Sequence, residues 1–240
     1  FRSPYGNQWS TYYAPVVTGA RVFMAGGSYD GMYSFDALTG AQVWFVSTNQ
    51  YNAWTPAVRD SLVYAYTGDY DPKVLAVTAP SGKTVFEIAD PHFSWNGWSM
   101  HTAPVLGSSN DLLAVQAGRL VSFDLGTRAL RYELNGRFTG AVTVSAAVLY
   151  LINDGRLEVR REIDGALLWS WSPPTGQLRG TSVVTRNLLF AATDNVTYAV
   201  DLGARRHTWA YPAGGSLALS AQGILFIARA DGKLSAVTVR

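Results

Sequence analysis

The chain has 240 residues, of which 48% are hydrophobic and only 15% charged, with a formal net charge of +2, 23 glycines and no cysteine. That length can bury a full core and that composition is too apolar for disorder, while the absence of cysteine excludes disulfides, zinc–thiolate sites and cysteine nucleophiles. The weak charge and the lack of a Lys/Arg run argue against a nucleic-acid partner, and no apolar run approaches the ~20 residues of a membrane helix.

The chain begins at Phe1 without an initiator Met or a signal-like apolar segment, the expectation for a mature or trimmed product whose upstream residues, including any anchor or export signal, are missing. From Ala14 it reads APVV, RVFMAGG, GMYSFDALTG and AQVWFV in succession. The same order returns from Thr55, Ala103, Ala141 and Thr181, and a sixth copy (LALS, GILFIAR, GKLSAVTV) stops at Arg240 without a final strand. Each copy alternates short runs rich in Val, Leu, Tyr and Phe with Gly, Asp, Asn or Ser-Gly breaks, which is strand and hairpin chemistry. Four strands repeating about every forty residues predict an all-β fold, a six-bladed β-propeller in one domain over residues 1–240. A two-layer sandwich is the rival, but it does not explain six recurrences of one strand order. Blades are expected over about 14–49, 55–88, 103–135, 141–172, 181–212 and 216–240. The last lacks an outer strand, and Tyr5 precedes Pro15 much as Trp44 precedes Pro56, so residues Phe1–Tyr5 are expected to close it.

In the first copy, DALTGAQVW (Asp36–Trp44) resembles the Ala-Leu-Asp…Thr-Gly…Trp signature of pyrroloquinoline-quinone-like propeller repeats. Gly40 suits a positive-φ turn position, and Trp44 is expected to lie flat between blades. Copies four and five keep the pair as Gly165/Trp169 and Gly203/Trp209, whereas copy two has Phe86 and copy three Tyr132 in place of Trp. Quinoprotein dehydrogenases with this repeat have eight blades and hold the quinone with a vicinal cysteine pair, a stacking Trp and Ca²⁺. A chain without cysteine and with fewer blades is instead similar to the non-enzymatic branch, which includes the outer-membrane assembly lipoprotein propeller.

In a propeller, the outer-to-inner crossings and the second-to-third-strand hairpins share one face. Here that face collects Trp9, Tyr12, Tyr13, Tyr29, Tyr51, Trp54, Tyr70, His92, Phe93, Trp95, Trp98 and His101, all from the first three crossings and the hairpins of blades one and two. Rings on polar loops give large contact area with few rotamers to freeze, which suits ligand binding; folding back to cap the blades is the competing reading. The stretch DPHFSWNGWSMH (Asp90–His101) is an insertion that lengthens one blade spacing, and insertions in repeat proteins map to one loop face. His92, His101 and Asp90 do not have a standard metal-ligand spacing, and the hairpin Asp residues 30, 69, 71, 154, 194 and 231 read as turn chemistry. No phosphate loop, nucleophile elbow or zinc-protease motif occurs. The expectation is a non-catalytic module without a cofactor or metal, located outside the cytoplasm. It would bind a protein or, alternatively, a glycan on the aromatic loops; a quinone- or metal-dependent oxidoreductase is the third reading. The oligomeric state is left open.

Overall fold

The computed structural model describes residues 14–26, 31–48, 55–67, 71–94 and 103–239. Among these residues the apolar runs form twenty-three strands and no helix. The first sheet is β1 (Val16–Thr18), β2 (Arg21–Gly26), β3 (Gly31–Asp36) and β4 (Gln42–Ser47). The second is β5 (Ala57–Arg59), β6 (Leu62–Thr67), β7 (Lys73–Thr78) and β8 (Thr84–Ala89), and the third is β9 (Val105–Leu106), β10 (Asp111–Gln116), β11 (Arg119–Asp124) and β12 (Ala129–Leu134). The fourth is β13 (Phe138–Ser145), β14 (Val148–Asn153), β15 (Arg156–Arg161) and β16 (Leu167–Trp171). The fifth is β17 (Arg179–Val184), β18 (Leu188–Ala192), β19 (Thr197–Asp201) and β20 (Arg206–Tyr211), and the sixth is β21 (Ser216–Leu219), β22 (Ile224–Ala228) and β23 (Leu234–Thr238).

Each sheet is an antiparallel meander in sequence order, the blade of a β-propeller. The chain divides into two compact units, Phe1–Leu134 and Asn135–Arg240, with three blades in each. Residues 1–5, expected as the outer strand of blade six, lie outside the described residues.

Blade two shows why the strands read as nearly unbroken apolar runs. Val63, Ala65, Leu75 and Val77 face blade one, packing with Phe23, Ala25, Met32 and Trp44. Their alternates Tyr64, Tyr66, Val74 and Ala76 face blade three, packing with Leu112, Ala114, Val121 and Phe123. Successive side chains of a strand point to opposite faces, so a strand sandwiched between two neighbours must be apolar at every position. In the second unit, blades four and five share one such cluster through Tyr150, Ile152, Leu189 and Ala191, and blades five and six share another through Phe190, Ala199, Leu225 and Ile227. Each large side chain buried this way contributes about 1.5–3 kcal/mol. The outer strands β4, β8 and β20 are mostly exposed, which leaves room there for charge.

The turn between third and fourth strands follows one rule in five blades. The residue four places after the start of the turn has positive φ and donates its N–H to the starting carbonyl: Gly40 to Asp36 at 2.9 Å, Gly82 to Thr78 at 2.8 Å, Gly165 to Arg161 at 2.9 Å and Arg205 to Asp201 at 2.8 Å. Arg128 takes the same left-handed position after Asp124. Gly40 and Gly165 thus occupy the strained slot, as their place in the repeat implies. In blade five the slot belongs to Arg205, while Gly203 only donates its N–H to the Asp201 side chain. Where Asp opens the turn, its Oδ1 accepts backbone N–H groups two and three residues on, as Asp36, Asp124 and Asp201 do.

These turns also seat the neighbouring blade. Trp44 donates its indole N–H to Ala79 O at 2.9 Å, and its ring covers Gly82 so closely that an added Cβ would lie 2.8 Å from the ring. One blade on, Phe86 has no N–H to donate and is covered instead by the guanidinium of Arg128, 4.8 Å from the ring centre. Trp169 and Trp209 pack against the clusters of the following blades.

Gly82→Ala combines a left-handed Cβ with this clash and should cost about 1–3 kcal/mol in urea unfolding. Arg205→Gly, at an exposed position of the same kind, should instead be neutral or stabilising by up to about 1 kcal/mol. The hydrogen bond from Arg131, with N–H groups of Thr127 and Gly126, holds the Asp124 carboxyl down at about 2. Its contribution to stability is therefore present above the ordinary carboxyl pKa near 4 and is lost as pH falls through 2. Thermal melts of Asp124→Asn should consequently be less sensitive to pH between 4 and 2 than those of the parent.

Candidate functional site

The described root of the inserted loop, Asp90–Ser94, is bound into the end of blades two and three. Asp90 follows β8, and its N–H bonds Pro72 O across the hairpin at 2.9 Å. Its side chain is fully buried, at 0% exposure. A buried carboxylate is tolerated only when it is paired and hydrogen-bonded, and four donor groups meet this one. They are the Tyr66 hydroxyl, both terminal nitrogens of Arg119 (one at 3.3 Å) and the His92 N–H at 3.1 Å.

Strand geometry puts these groups together. Arg119 opens β11 and pairs with Gln116, the last residue of β10, while Val121 of β11 pairs with Glu133 of β12. The Arg119 side chain therefore lies at the blade end between Asp90 and Glu133 and bridges both carboxylates. Its Nε is buried without an acceptor. Glu133 also meets the imidazole Nδ1 of His92 at 2.9 Å, and the His92 side chain remains 59% exposed. Gln116 fastens Ser94: its amide donates to Ser94 O at 2.6 Å and its Oε1 accepts the Ser94 N–H at 3.4 Å. Phe93 is half-buried, with its ring edge-on to Tyr66 at 6.2 Å, and Tyr66 in turn meets Phe123 at 5.4 Å.

The electrostatics follow from burial. Desolvation pushes the Tyr66 phenol far above its usual range, and the Asp90 charge adds to the shift, so the hydroxyl stays a donor at every working pH. Burial alone would weaken the Arg119 cation, but its hydrogen bonds to Asp90 and Glu133 outweigh that and raise its pKa. The Asp90 oxygens are occupied by donors, so the cluster holds its backbone in place instead of offering a free base.

Of the residues singled out by sequence, His92 and Phe93 belong to this assembly, one facing outward and one packed inward. Trp9, Tyr12, Tyr13, Tyr29, Tyr51, Trp54, Tyr70, Trp95, Trp98 and His101 lie outside the described residues. The anchoring residues Tyr66, Gln116, Arg119 and Glu133 escape sequence reading. Tyr66 sits in a run that looks like pure core, and only the QAGR hairpin carrying Gln116 and Arg119 gives a signal, as a member of the loop face. His207 lies on the outer strand β20 against Trp171 and Tyr198. No group of three or more His, Asp or Glu that could hold a metal occurs among the described residues.

A family model described as outer membrane protein assembly factor BamB matches residues 5–127 and 73–213, overlapping stretches that together span most of the chain. No curated protein sequence matches it. BamB from Moraxella catarrhalis aligns with a TM-score of 0.72 at 18% identity, over 94% of this chain and 71% of its own. The C-terminal WD40 domain of Sif2 aligns with a TM-score of 0.72 at 10% identity, over 99% of this chain and 69% of its own. Quinohemoprotein alcohol dehydrogenase from Comamonas testosteroni aligns with a TM-score of 0.67 at 11% identity, over 89% of this chain but 50% of its own. Likeness at these identities establishes the propeller fold.

Removing Arg119 strands two carboxylates, one of them fully buried. Arg119→Ala should cost about 3–5 kcal/mol, whereas Tyr66→Phe, which removes one hydrogen bond and keeps the ring, should cost about 1–3 kcal/mol. Urea unfolding of the two variants and their combination should show a coupling clearly different from zero.

Proposed function

The chain belongs to the family described as outer membrane protein assembly factor BamB, and from that premise we propose that it is a non-catalytic scaffold of the cell envelope, working outside the cytoplasm, that binds a protein partner through its loop face. The observation that carries this reading is the closed clamp on Asp90. A blade end that commits a buried arginine, a buried tyrosine and two further polar side chains to one loop root invests in where that loop starts, which supports a role for the loop in recognition. The distal part is the ring-rich stretch with Trp95, Trp98 and His101. With Trp9, Tyr12, Tyr13, Tyr29, Tyr51, Trp54, Tyr70, His92 and Phe93, these residues form the proposed recognition set. Aromatic anchors of this kind carry a disproportionate share of binding energy at protein interfaces. No helix among the described residues is long and apolar enough to cross a membrane.

Alanine at Trp54, Trp95 or Trp98 should each weaken capture of the partner from an envelope extract at least tenfold, with thermal melting unchanged. Variants that bind like the parent, or that simply unfold, would sink the assignment. A glycan array with strong hits lost in the same variants would replace the protein partner by a carbohydrate. Dye-linked dehydrogenase activity after reconstitution with quinone and Ca²⁺ would replace the scaffold by an enzyme.

A further inference from the structure

A second surface, in the unit of residues 135–240, has a different chemistry. A cavity of about 380 Å³ opens where Arg137, Asp154, Gly155, Gln177, Leu178 and Arg179 meet. Three backbone segments build it: the crossing before β13, the β14–β15 hairpin and the crossing before β17. They are tied by Asp154 N to Arg137 O at 3.1 Å and Leu178 N to Gly155 O at 2.9 Å. Glycine is required at their contacts. A Cβ on Gly140 would lie 2.1 Å from Gly180 O, and one on Gly155 would lie 2.7 Å from the Gln177 side chain. The groove is therefore shaped by close contacts at main-chain glycines, with the Asn153 side chain accepting the Arg137 N–H at 2.8 Å.

The rim is charged and open. The Arg137 and Arg179 side chains are 82% and 65% exposed, and each has one carboxylate partner, Asp154 at 3.3 Å and Asp194 at 3.1 Å. Both partners are themselves exposed, so these pairs contribute little to folding and can be exchanged at little cost for carboxylates from another molecule. Arginine presents a planar fork that fits a carboxylate with two parallel hydrogen bonds. The unit as a whole favours an anionic visitor: residues 135–240 hold eleven Lys/Arg against seven Asp/Glu, a net +4, whereas residues 1–134 hold eight against ten, a net −2. The cavity lining contains no aromatic ring on which a base could stack, and base–ring stacking is a main source of single-strand nucleic-acid affinity.

We propose that this groove binds an extended acidic segment of a protein, with its carboxylates displacing Asp154 and Asp194 from Arg137 and Arg179. The groove shares no residue with the proposed aromatic recognition set, so the two assignments stand or fall independently.

The test is fluorescence anisotropy of a labelled eleven-residue peptide of alternating Glu and Ala, its Gln counterpart, and an oligothymidylate of equal charge. The Glu peptide should bind at least tenfold more tightly than the Gln peptide and lose affinity as salt rises. Arg137→Ala/Arg179→Ala should lower its affinity at least tenfold. Arg186→Ala, an exposed arginine at the opposite end of blade five, should leave it unchanged, as should alanine at Trp54, Trp95 and Trp98. Arg137→Glu/Arg179→Glu should transfer the preference to a Lys–Ala peptide, a gain that an unfolded variant cannot give. Equal affinity for the Gln peptide, insensitivity to the double substitution, or tighter arginine-dependent binding of the oligothymidylate would each overturn the proposal.

Discussion

Double-sided burial of the middle strands is the constraint on which the rest of this molecule depends. A blade with a neighbour on each face leaves no position on those strands for a polar side chain unless a partner is built beside it. Val63 and Tyr64, adjacent in sequence, belong to two different cores. Polar chemistry is thereby pushed to the two ends of each blade and to its outermost strand. One end is given to the Asp-led turns that join third and fourth strands. The other carries the crossings and the second-to-third-strand hairpins, where the first unit has its Asp90 clamp and the second its arginine-rimmed groove.

The contact that each outer strand makes with the next blade is satisfied in more than one way. Trp44 fills its slot with a ring and a hydrogen bond, whereas Phe86 fills the corresponding slot with a ring and a cation from Arg128. The left-handed position at the base of each slot is equally open to compromise. Glycine occupies it in blades one, two and four, and arginine in blades three and five. Fading of the repeat along the chain thus has a physical meaning: the geometry of the turn is kept while the residues that satisfy it are exchanged.

That exchange explains what is legible in the sequence. The period, the strand order, the turn at Gly40 and the inter-blade Trp44 all rest on local chemistry that recurs, so a single chain displays them. Gly203 misleads, because a glycine near the expected place is not the residue with positive φ; counting four residues from Asp201 leads to Arg205. The clamp is illegible for a different reason. Tyr66 and Arg119 stand 24 and 29 residues from Asp90, and nothing local marks a tyrosine inside an apolar strand as the donor to a distant carboxylate. In sequence Asp90 stands out only as a conceivable ligand beside two histidines, yet its side chain is fully buried. The groove is hidden for a third reason: it is made of main-chain segments pressed together at glycines, and side-chain patterns do not report such contacts.

The clamp at Asp90 also bears on how such a protein diversifies. Its donors come from β6, the β10–β11 hairpin and the loop root itself, and among the described residues they hold Asp90 and Ser94. The arrangement works like a socket, a fixed fitting built from the ends of two blades. A lineage that keeps these bonds keeps the root of the loop in place, and a protein engineer can use the same fitting as the fixed end of a grafted loop.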